Sequence, residues 1–322
     1  MNIERVPGRV TVIIPAFNSE KYLAATLQSV LQQSYPDVEL IVVDNGSKDG
    51  TVQLVESFGE RISLLVEETP GPSAARNRGL RVASGEFVAF LDADDLWNSD
   101  HIYRHVQTLQ QNPSSGGTYA KFVLIDEWGE RLTDFDAGEF RDTSSSEQMP
   151  VWQALLRMEL HLQIGGLLFR TDLLAKMGGF EPTLRTAEDT HLMTRFSYLH
   201  GLIFVPDAPV YYRWHAAGIS KDTRIPRGTI VSLELLEERE PRLVAENAYL
   251  IRCAFFLRHL SMARSEFRNG YPKAARRHYS AALRRKPVNL EAMGMWLVSG
   301  LPGSVLGILR SAKRRFAGRK GT

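Results

Sequence analysis

Apolar strands that alternate with helices over the first 120 residues constrain the fold of this chain more than any other feature of its sequence. The runs 10–17 and 38–43 are rich in β-branched residues, and two further apolar runs follow at 62–68 and 86–91. Segments with apolar residues at helical spacing lie between them, for example 20–33. Continuous apolar strands that alternate with helices are typical of a mostly parallel sheet covered by helices on both faces. We therefore predict an α/β fold.

Polar residues follow three of these strands. Asn18 and Asp44 follow the first two, and the stretch FVAFLDADDLW places Asp92, Asp94 and Asp95 directly after the fourth. Sheets of this kind bind ligands at the carboxyl ends of their strands. Three carboxylates this close raise one another's pKa unless a cation or hydrogen-bond donors compensate. The cluster therefore indicates a hard divalent metal bound by oxygen.

Several classes of α/β enzyme lack their signatures in this sequence. It contains no GxGxxG and no GxxxxGK[ST] phosphate cradle, and no serine lies in a G-x-S-x-G elbow. A phosphatase with an aspartyl nucleophile would also place D-x-D after a strand. Such enzymes usually begin with that strand, whereas here several strands precede it, and this alternative is the weaker one.

Three sequence blocks resemble glycosyltransferase family 2. They are VTVIIPAFNSEKYLAATLQSVLQQSYPDVELIVVDNGSKDGT, GPSAARNRGL and SGEFVAFLDADDLW, and they occur in the family's order and at its spacing. The resemblance covers about residues 8–220. It implies a GT-A fold with a nucleotide-binding sheet, a nucleotide-sugar donor, Mn²⁺ or Mg²⁺, and inversion at the anomeric carbon of the sugar.

The resemblance also implies roles for individual residues around the nucleotide. Asp94 is expected to bind the metal, Asp92 to contact ribose or metal, and Asp44 to accept the ring N–H of the base. His215, in VYYRWHAAGIS, is a candidate metal ligand or phosphate contact. Glu20 is equally well interpreted as a first-turn helix acid. The nucleotide contacts implied in addition are Pro15, Ala16, Asn18, Glu20, Arg76 and Asn77.

The pair Glu188-Asp189 resembles the family's acidic element at the start of a helix that faces the sugar. Inverting transfer is a single displacement, so a base must take the proton of the acceptor hydroxyl as its oxygen attacks. We expect Asp189 to be that base, with Glu188 as the runner-up or as an orienting group. The alternative is that both only stabilise the helix dipole.

Four further residues have open interpretations. Gly165 and Gly166 allow close approach of donor sugar or acceptor, or serve packing alone. Trp214 is expected to wall the sugar pocket, and Arg213 to face phosphate or solvent. Asp95 is expected to support the metal ligands or to cap a helix that begins at Leu96.

The C-terminal quarter of the chain is basic. From residue 241 onward there are 17 Lys and Arg against 3 Asp and Glu, a net charge of +14, whereas the first 240 residues carry 22 against 34, or −12. Such asymmetry indicates an anionic partner. We expect a transferase domain at 1–225 and a basic helical extension at 226–322. No recognition motif accompanies the basic residues, so nucleic acid is not the expected partner.

Two segments of this extension have a recognisable pattern. Residues 263–287 resemble one tetratricopeptide-type helical hairpin. Residues 292–309 carry no charge and precede a polybasic stretch. They are interpreted either as a segment that lies on an anionic membrane surface or as a buried helical hairpin.

The sequence as a whole predicts an enzyme. We expect an inverting glycosyltransferase that moves a sugar from a nucleotide-sugar, with a UDP-sugar as the favoured donor, to a saccharide or lipid-linked acceptor in surface polysaccharide or glycolipid synthesis. The competing hypothesis is a non-catalytic scaffold that binds membrane or peptide through its helical tail. The N-terminal apolar run is too short for a signal peptide, and Cys253 is the only cysteine. Both features favour a cytoplasmic protein, and the basic tail favours a peripheral position on the inner face of the cell membrane.

Overall fold

Seven strands form one mixed sheet at the centre of the first part of the chain. The structure, a computed structural model, describes residues 4–132, 149–215, 225–286 and 289–301. Within them the strands are β1 Val6–Ala16, β2 Val38–Asp44, β3 Ser63–Val66, β4 Gly85–Phe90, β5 Leu96–Trp97, β6 Gly117–Tyr119, β7 Phe122–Ile125, β8 Leu167–Arg170, β9 Leu202–Phe204 and β10 Val210–Arg213. The helices are α1 Glu20–Leu31, α2 Thr51–Glu56, α3 Pro72–Leu80, α4 His101–Gln111, α5 Val151–Leu156, α6 Thr171–Lys176, α7 Glu188–His200, α8 Ile225–Arg239, α9 Pro241–Glu246, α10 Ala248–Arg268, α11 Pro272–Arg285 and α12 Leu290–Ser299.

The strand order of the main sheet is β3-β2-β1-β4-β8-β6-β9. The first four strands pair in parallel, and β8 runs antiparallel to both of its neighbours. These four strands correspond to the four runs that the sequence predicts, so the mostly parallel α/β sheet is confirmed.

The pairing register aligns the strand ends. Ala16 at the end of β1 pairs with Asp44 at the end of β2, and Asp44 pairs with Val66 at the end of β3. On the other side of β1, the backbone N–H of Leu91 donates to the carbonyl of Ile13. The polar loops after β1, β2 and β4 therefore leave the sheet at the same edge.

Helices cover both faces of this sheet. Alternate residues of β1 point to opposite faces, as the two-residue period of a strand requires. Val12 and Ile14 pack with α1, α2 and α4, whereas Ile13 packs with α3, α5, α6 and α7. The polar edge is thereby held by two rigid apolar layers.

A second, three-stranded sheet has the order β5-β10-β7. Because Asp95 is followed directly by strand β5, the interpretation of Asp95 as a helix cap is wrong. Trp97 fixes this strand, since its indole N–H donates to the carbonyl of Gly165 at 2.6 Å. The pairing of β5 with β10 holds the Asp92–Asp95 turn next to residues 213–215.

The chain divides into two compact units, Met1–Leu243 and Val244–Thr322. The division falls within α9, whereas the sequence predicts the boundary at residue 225. Helix α8 belongs to the first unit because it packs against α7: the backbone carbonyl of Ser232 lies 3.1 Å from Nδ1 of the buried His191.

The second unit is helical in its described part, as the sequence predicts. Helices α10 and α11 form a hairpin whose core includes Ala263, Tyr279 and Ala282, all fully buried. Gly270, with φ +89°, lies in the turn that ends α10. Pro287 of the tetratricopeptide-like pattern, and residues 302–309 of the uncharged segment, lie outside the described residues. Across the described ranges, no helix is both long and apolar enough to cross a bilayer.

Candidate active site

The loops after β1 and β2 hold each other through side chains that the sequence predicts as nucleotide contacts. Asn18 accepts the backbone N–H of Lys48 at 2.8 Å, and Glu20 accepts that of Gly50 at 2.9 Å. Asn18 has φ +49°, a left-handed conformation that asparagine tolerates better than most residues. Both side chains therefore shape the loop pair. Pro15 and Ala16 are the last two residues of β1 and lie directly before the first of these loops.

Asp44 is 5% exposed and lies at the centre of the same edge. Its carboxylate accepts the backbone N–H groups of Gly46 and Ser47 at 3.1 and 3.3 Å, so it fixes the turn that follows β2. A carboxylate has about four acceptor positions, and two donors leave capacity for a base N–H.

Some predicted contacts are engaged with the protein's own backbone. The Asn77 amide donates to the carbonyl of Phe180 and accepts its N–H, at 2.8 and 2.9 Å, so it pins the turn before α7. Gly165 and Gly166 are buried, and a Cβ at Gly165 would lie 3.0 Å from Val210. This close contact favours the interpretation that Gly165 serves packing. Trp214 is half-buried, and its backbone N–H donates to Ile125.

Asp94 and His215 come together across the two sheets. Nε2 of His215 lies 2.8 Å from Oδ2 of Asp94, and the His215 ring packs on Tyr22 with centroids 4.8 Å apart. Burial, and then repulsion from Asp92, raise the pKa of Asp94, although the contact with His215 opposes the shift. The sequence predicts both residues as metal ligands, and the structure makes them neighbours.

Arg213 stabilises the Asp92–Asp95 turn through hydrogen bonds. It is buried, so an orientation toward solvent is wrong. Its guanidinium donates to the carbonyls of Asp94, Asp126 and Glu127, and its backbone N–H donates to the Asp95 carboxylate at 2.9 Å. Burial and the neighbouring Asp94 raise the pKa of Asp95 well above its usual value. Asp95 therefore supports the turn from the protein side.

Arg76 links the acidic turn to α7. Its side chain is 4% exposed and donates to Asp92 at 2.6 Å and to Glu188 at 2.9 Å, while its guanidinium lies over the Phe180 ring. The two carboxylates are 96 residues apart in sequence, and one guanidinium holds both. Arg76 is thus buried between acidic groups that the sequence assigned to separate roles.

Asp189 lies next to this ion-paired group. Burial, and then repulsion from Glu188, raise its pKa to about 7, although a hydrogen bond from the Thr190 N–H and the charge of Arg76 oppose the shift. Ala187, immediately before α7, has φ +63°, a left-handed conformation that costs a residue with a Cβ about 1–2 kcal/mol. This strained residue sets the direction in which the acidic pair leaves the loop.

Ala187 and Gly228 are functional candidates that the sequence analysis missed. A Cβ at Gly228 would lie 2.1 Å from Oγ1 and 2.6 Å from the backbone carbonyl oxygen of Thr186. Only a glycine therefore lets α8 approach the loop that carries Glu188. A glycine inside a helical pattern was the available signal for Gly228, whereas nothing in the sequence marks Ala187.

The donor set at this edge fits a divalent metal in part. Asp94 and His215 offer one oxygen and one nitrogen, and burial, followed by the charge of Asp92, raises the pKa of Asp94. Among the residues that the structure describes, no group of three or more acidic, His or Cys side chains could hold a metal by itself. A cation here would need further ligands from a bound molecule.

Comparison with known proteins identifies the first unit. Residues 11–163 match the model of Glycosyl transferase family 2. The putative teichuronic acid biosynthesis glycosyltransferase TuaG of Bacillus subtilis is 38% identical over 130 residues, 39% of this chain and 51% of TuaG. The glucosyltransferase WfgD of Escherichia coli, whose name gives a UDP-Glc donor and a diphosphoundecaprenol-linked acceptor, is 39% identical over 118 residues, 36% of this chain and 46% of WfgD. Each match thus spans about half of the relative.

Solved structures show the same fold. Staphylococcus aureus TarS, residues 1–349, superposes with a TM-score of 0.63 at 22% identity and covers 90% of this chain and 88% of its own. The mannosyltransferase PcManGT of Pyrobaculum calidifontis, in complex with GDP-Man and Mn²⁺, has a TM-score of 0.56 at 23% identity and covers 93% and 80%. The family model, the relatives and these structures agree: residues 11–163 match glycosyltransferase family 2, and the chain has a GT-A fold with a helical C-terminal part.

Proposed function

We propose that this chain is an inverting glycosyltransferase that moves a sugar from a UDP-sugar to a hydroxyl acceptor in surface polysaccharide or glycolipid synthesis. The observation that carries the proposal is the group at the carboxyl edge of the sheet. There Arg76 holds Asp92 and Glu188 together beside Asp189, whose pKa is raised to about 7. A carboxylate with this pKa is suited to take a proton near neutral pH.

The contacts distinguish the two candidate bases. Glu188 is ion-paired to the Arg76 guanidinium at 2.9 Å, so its carboxylate is already engaged by a buried partner. Asp189 carries the raised pKa. We assign Asp189 as the base and Glu188 as an orienting group. In the transfer, the acceptor oxygen attacks the anomeric carbon and its proton passes to Asp189. The bond from that carbon to the nucleoside diphosphate breaks, and its electron pair leaves on the diphosphate oxygen.

Asp94 and His215 are the residues that would hold Mn²⁺ or Mg²⁺, with the phosphates of the donor as further ligands. When bound, the metal would act as a Lewis acid that stabilises the charge of the leaving diphosphate. Asp92, held by Arg76, would then face ribose or the metal from a fixed position.

The uridine preference rests on Asp44 and on two relatives. A buried carboxylate that is itself fixed by two backbone donors is a strong acceptor for the ring N–H of uracil. TarS has been solved with UDP-GlcNAc, and the name of WfgD specifies UDP-Glc. PcManGT binds GDP-Man, and guanine also offers a ring N–H, so GDP is the competitor to test.

A lipid-linked acceptor is the class we favour. The name of WfgD gives a diphosphoundecaprenol-linked acceptor. An acceptor of that kind would place the reaction at the inner face of the cell membrane, with the transferase as a peripheral protein.

Calorimetry tests this function directly. The protein is titrated with UDP, GDP and dTDP, each with and without Mn²⁺, and release of UDP from UDP-sugars is then measured. We expect UDP to bind tightest, with affinity that depends on the metal, and Asp94→Asn to lose most of that dependence. Asp172→Asn, which changes an exposed carboxylate of the same unit, is the matched control. No binding of any nucleotide would instead support the non-catalytic scaffold.

A further inference from the structure

Helix α12 of the second unit carries an exposed apolar stripe. Leu290 is 83% exposed and Leu297 63%, and Met293 and Leu301 are exposed as well. These positions follow one another at intervals of three, four and four residues, so they share one side of the helix and its end. We call Leu290, Met293, Leu297 and Leu301 the α12 stripe.

The other side of α12 is fixed in the core of the unit. Ala292 is fully buried, and Trp296 packs into the cluster that α10 and α11 form. The Trp296 indole N–H also donates to the Ser280 hydroxyl on α11 at 2.8 Å. The helix therefore cannot rotate to bury the stripe without breaking these contacts.

Positive charge borders the α12 stripe toward its end, whereas the ion pair at its start is neutral. At the start of the helix, Arg264 forms a bidentate pair with Glu291. Toward its end, the Arg276 guanidinium lies 4.5 Å from the centre of the Trp296 ring and next to Gly300. Exposed basic side chains continue along α11 and the turn after it, at Lys273, Arg276, Arg277, Arg284, Arg285 and Lys286.

The sequence beyond the stripe adds charge of the same sign. Residues 302–322 contain six Lys and Arg and no acidic residue. A row of apolar side chains beside clustered cations is complementary to a lipid bilayer, which has apolar tails and anionic headgroups. A protein partner would need acidic groups around an apolar groove, and a second copy of this unit would bring like charges together.

We propose that the α12 stripe and its basic border form a docking surface for an anionic lipid bilayer. The leucine side chains enter the region between headgroups and acyl chains, while the exposed arginines of α11 contact headgroup phosphates. Binding to lipid is independent of the proposed sugar transfer, because none of these residues belongs to the carboxyl edge of the sheet.

Vesicle flotation with the full chain tests this surface, with no donor or metal present. We expect binding to vesicles of phosphatidylcholine mixed with phosphatidylglycerol, weaker binding to phosphatidylcholine alone, and loss of binding as salt is added. Leu297→Glu and, separately, Leu290→Glu should each lower the affinity about tenfold or more, because each removes one inserted leucine and adds a like charge to the lipid.

The matched control is Tyr249→Glu on α10. Tyr249 is 69% exposed and lies outside the stripe, so this variant makes the same charge change elsewhere in the unit. An equal loss of vesicle affinity in all three variants would mean that net charge alone drives binding, and would overturn the role of the α12 stripe. No binding by the unaltered chain would overturn lipid docking. A dimer in light scattering that Leu297→Glu converts to a monomer, without lipid binding, would make a second copy the occupant.

Discussion

An ion-paired arginine in each unit shows two different ways of placing charge. In the first unit, the guanidinium of Arg76 is 4% exposed and lies between two carboxylates. In the second unit, Arg264 pairs with Glu291 with about half of each side chain exposed. Burying charges costs several kcal/mol per ion before pairing, whereas exposed pairs cost and contribute little.

The difference separates two kinds of function. A fold keeps buried acidic groups only where their placement is needed, since apolar residues would pack with less cost. The edge of the first unit is therefore interpreted as a preorganised site in which single residues matter. The surface charges of the second unit act together and are screened by salt, so single residues matter little.

Asp189→Asn should have the largest effect of any single substitution. The amide cannot take the acceptor proton, so turnover should fall by about 10²–10⁴, while UDP affinity stays within about twofold because the nucleotide does not require the base. Turnover and calorimetric binding are measured together. Asp207→Asn, at an exposed carboxylate of the same unit, should leave both unchanged. Retained turnover in Asp189→Asn would move the base to Glu188.

Arg76→Ala should destabilise the first unit by about 3–5 kcal/mol, because it leaves the buried Glu188 and the partly exposed Asp92 without their counter-charge. Urea unfolding that is monitored by tryptophan fluorescence gives the change. Arg81→Ala removes an exposed guanidinium just after the same helix and should cost less than about 1 kcal/mol. Similar losses in both variants would mean that the buried pairs are not a special feature of the site.

Gly228→Ala tests how α8 holds the loop before α7. The added Cβ would meet the backbone of Thr186, so we expect a cost of about 1–3 kcal/mol and a lower turnover from a displaced Asp189. Gly294→Ala on α12 is the matched change in the other unit. Nothing lies within 4 Å of its new Cβ, and alanine should stabilise that helix by up to about 1 kcal/mol. If Gly228→Ala left stability and turnover as unharmed as Gly294→Ala does, close packing of α8 would not be what positions the loop.

The sequence predicts the first four strands and the polar edge because their signals are local. Apolar runs define the strands, and Asp44, Asp92 and Asp94 follow those strands directly. Long-range contacts are not visible in this way. Nothing in ARNRG indicates that Arg76 would be buried between Asp92 and Glu188, since the second carboxylate lies 112 residues further on.

The errors have the same origin. Asp95 looked like a helix cap because the strand after it, β5, is only two residues long and exists through its pairing with β10. Arginine is usually a surface residue, but Arg213 is buried because its guanidinium donates to three backbone carbonyls from two distant segments. Tertiary contacts overrode the local pattern in both cases.

The pH profile should carry a smaller and graded effect. A base must be ionised, and burial with the Glu188 charge raises the pKa of Asp189 to about 7. The value of kcat/KM should therefore rise with pH up to about 7 and fall about tenfold for each unit below it. The residual activity of Asp189→Asn should lack this limb. A limb centred near 4, the usual range for aspartate, would contradict the raised pKa.

Arg264→Ala should have the smallest effect, although Arg264 and Glu291 form the closest ion pair described in the second unit. The pair is bidentate, but water competes for both groups, so its loss should cost about 0–1 kcal/mol in urea unfolding. Added salt should reduce even that difference, because screening acts on exposed charges. The same salt should change the cost of Arg76→Ala much less, since the Arg76 guanidinium and Glu188 are shielded from solvent and only Asp92 is partly exposed. If salt instead weakened both pairs alike, the two units would not differ in how they place charge, and the buried group would lose its standing as a preorganised site.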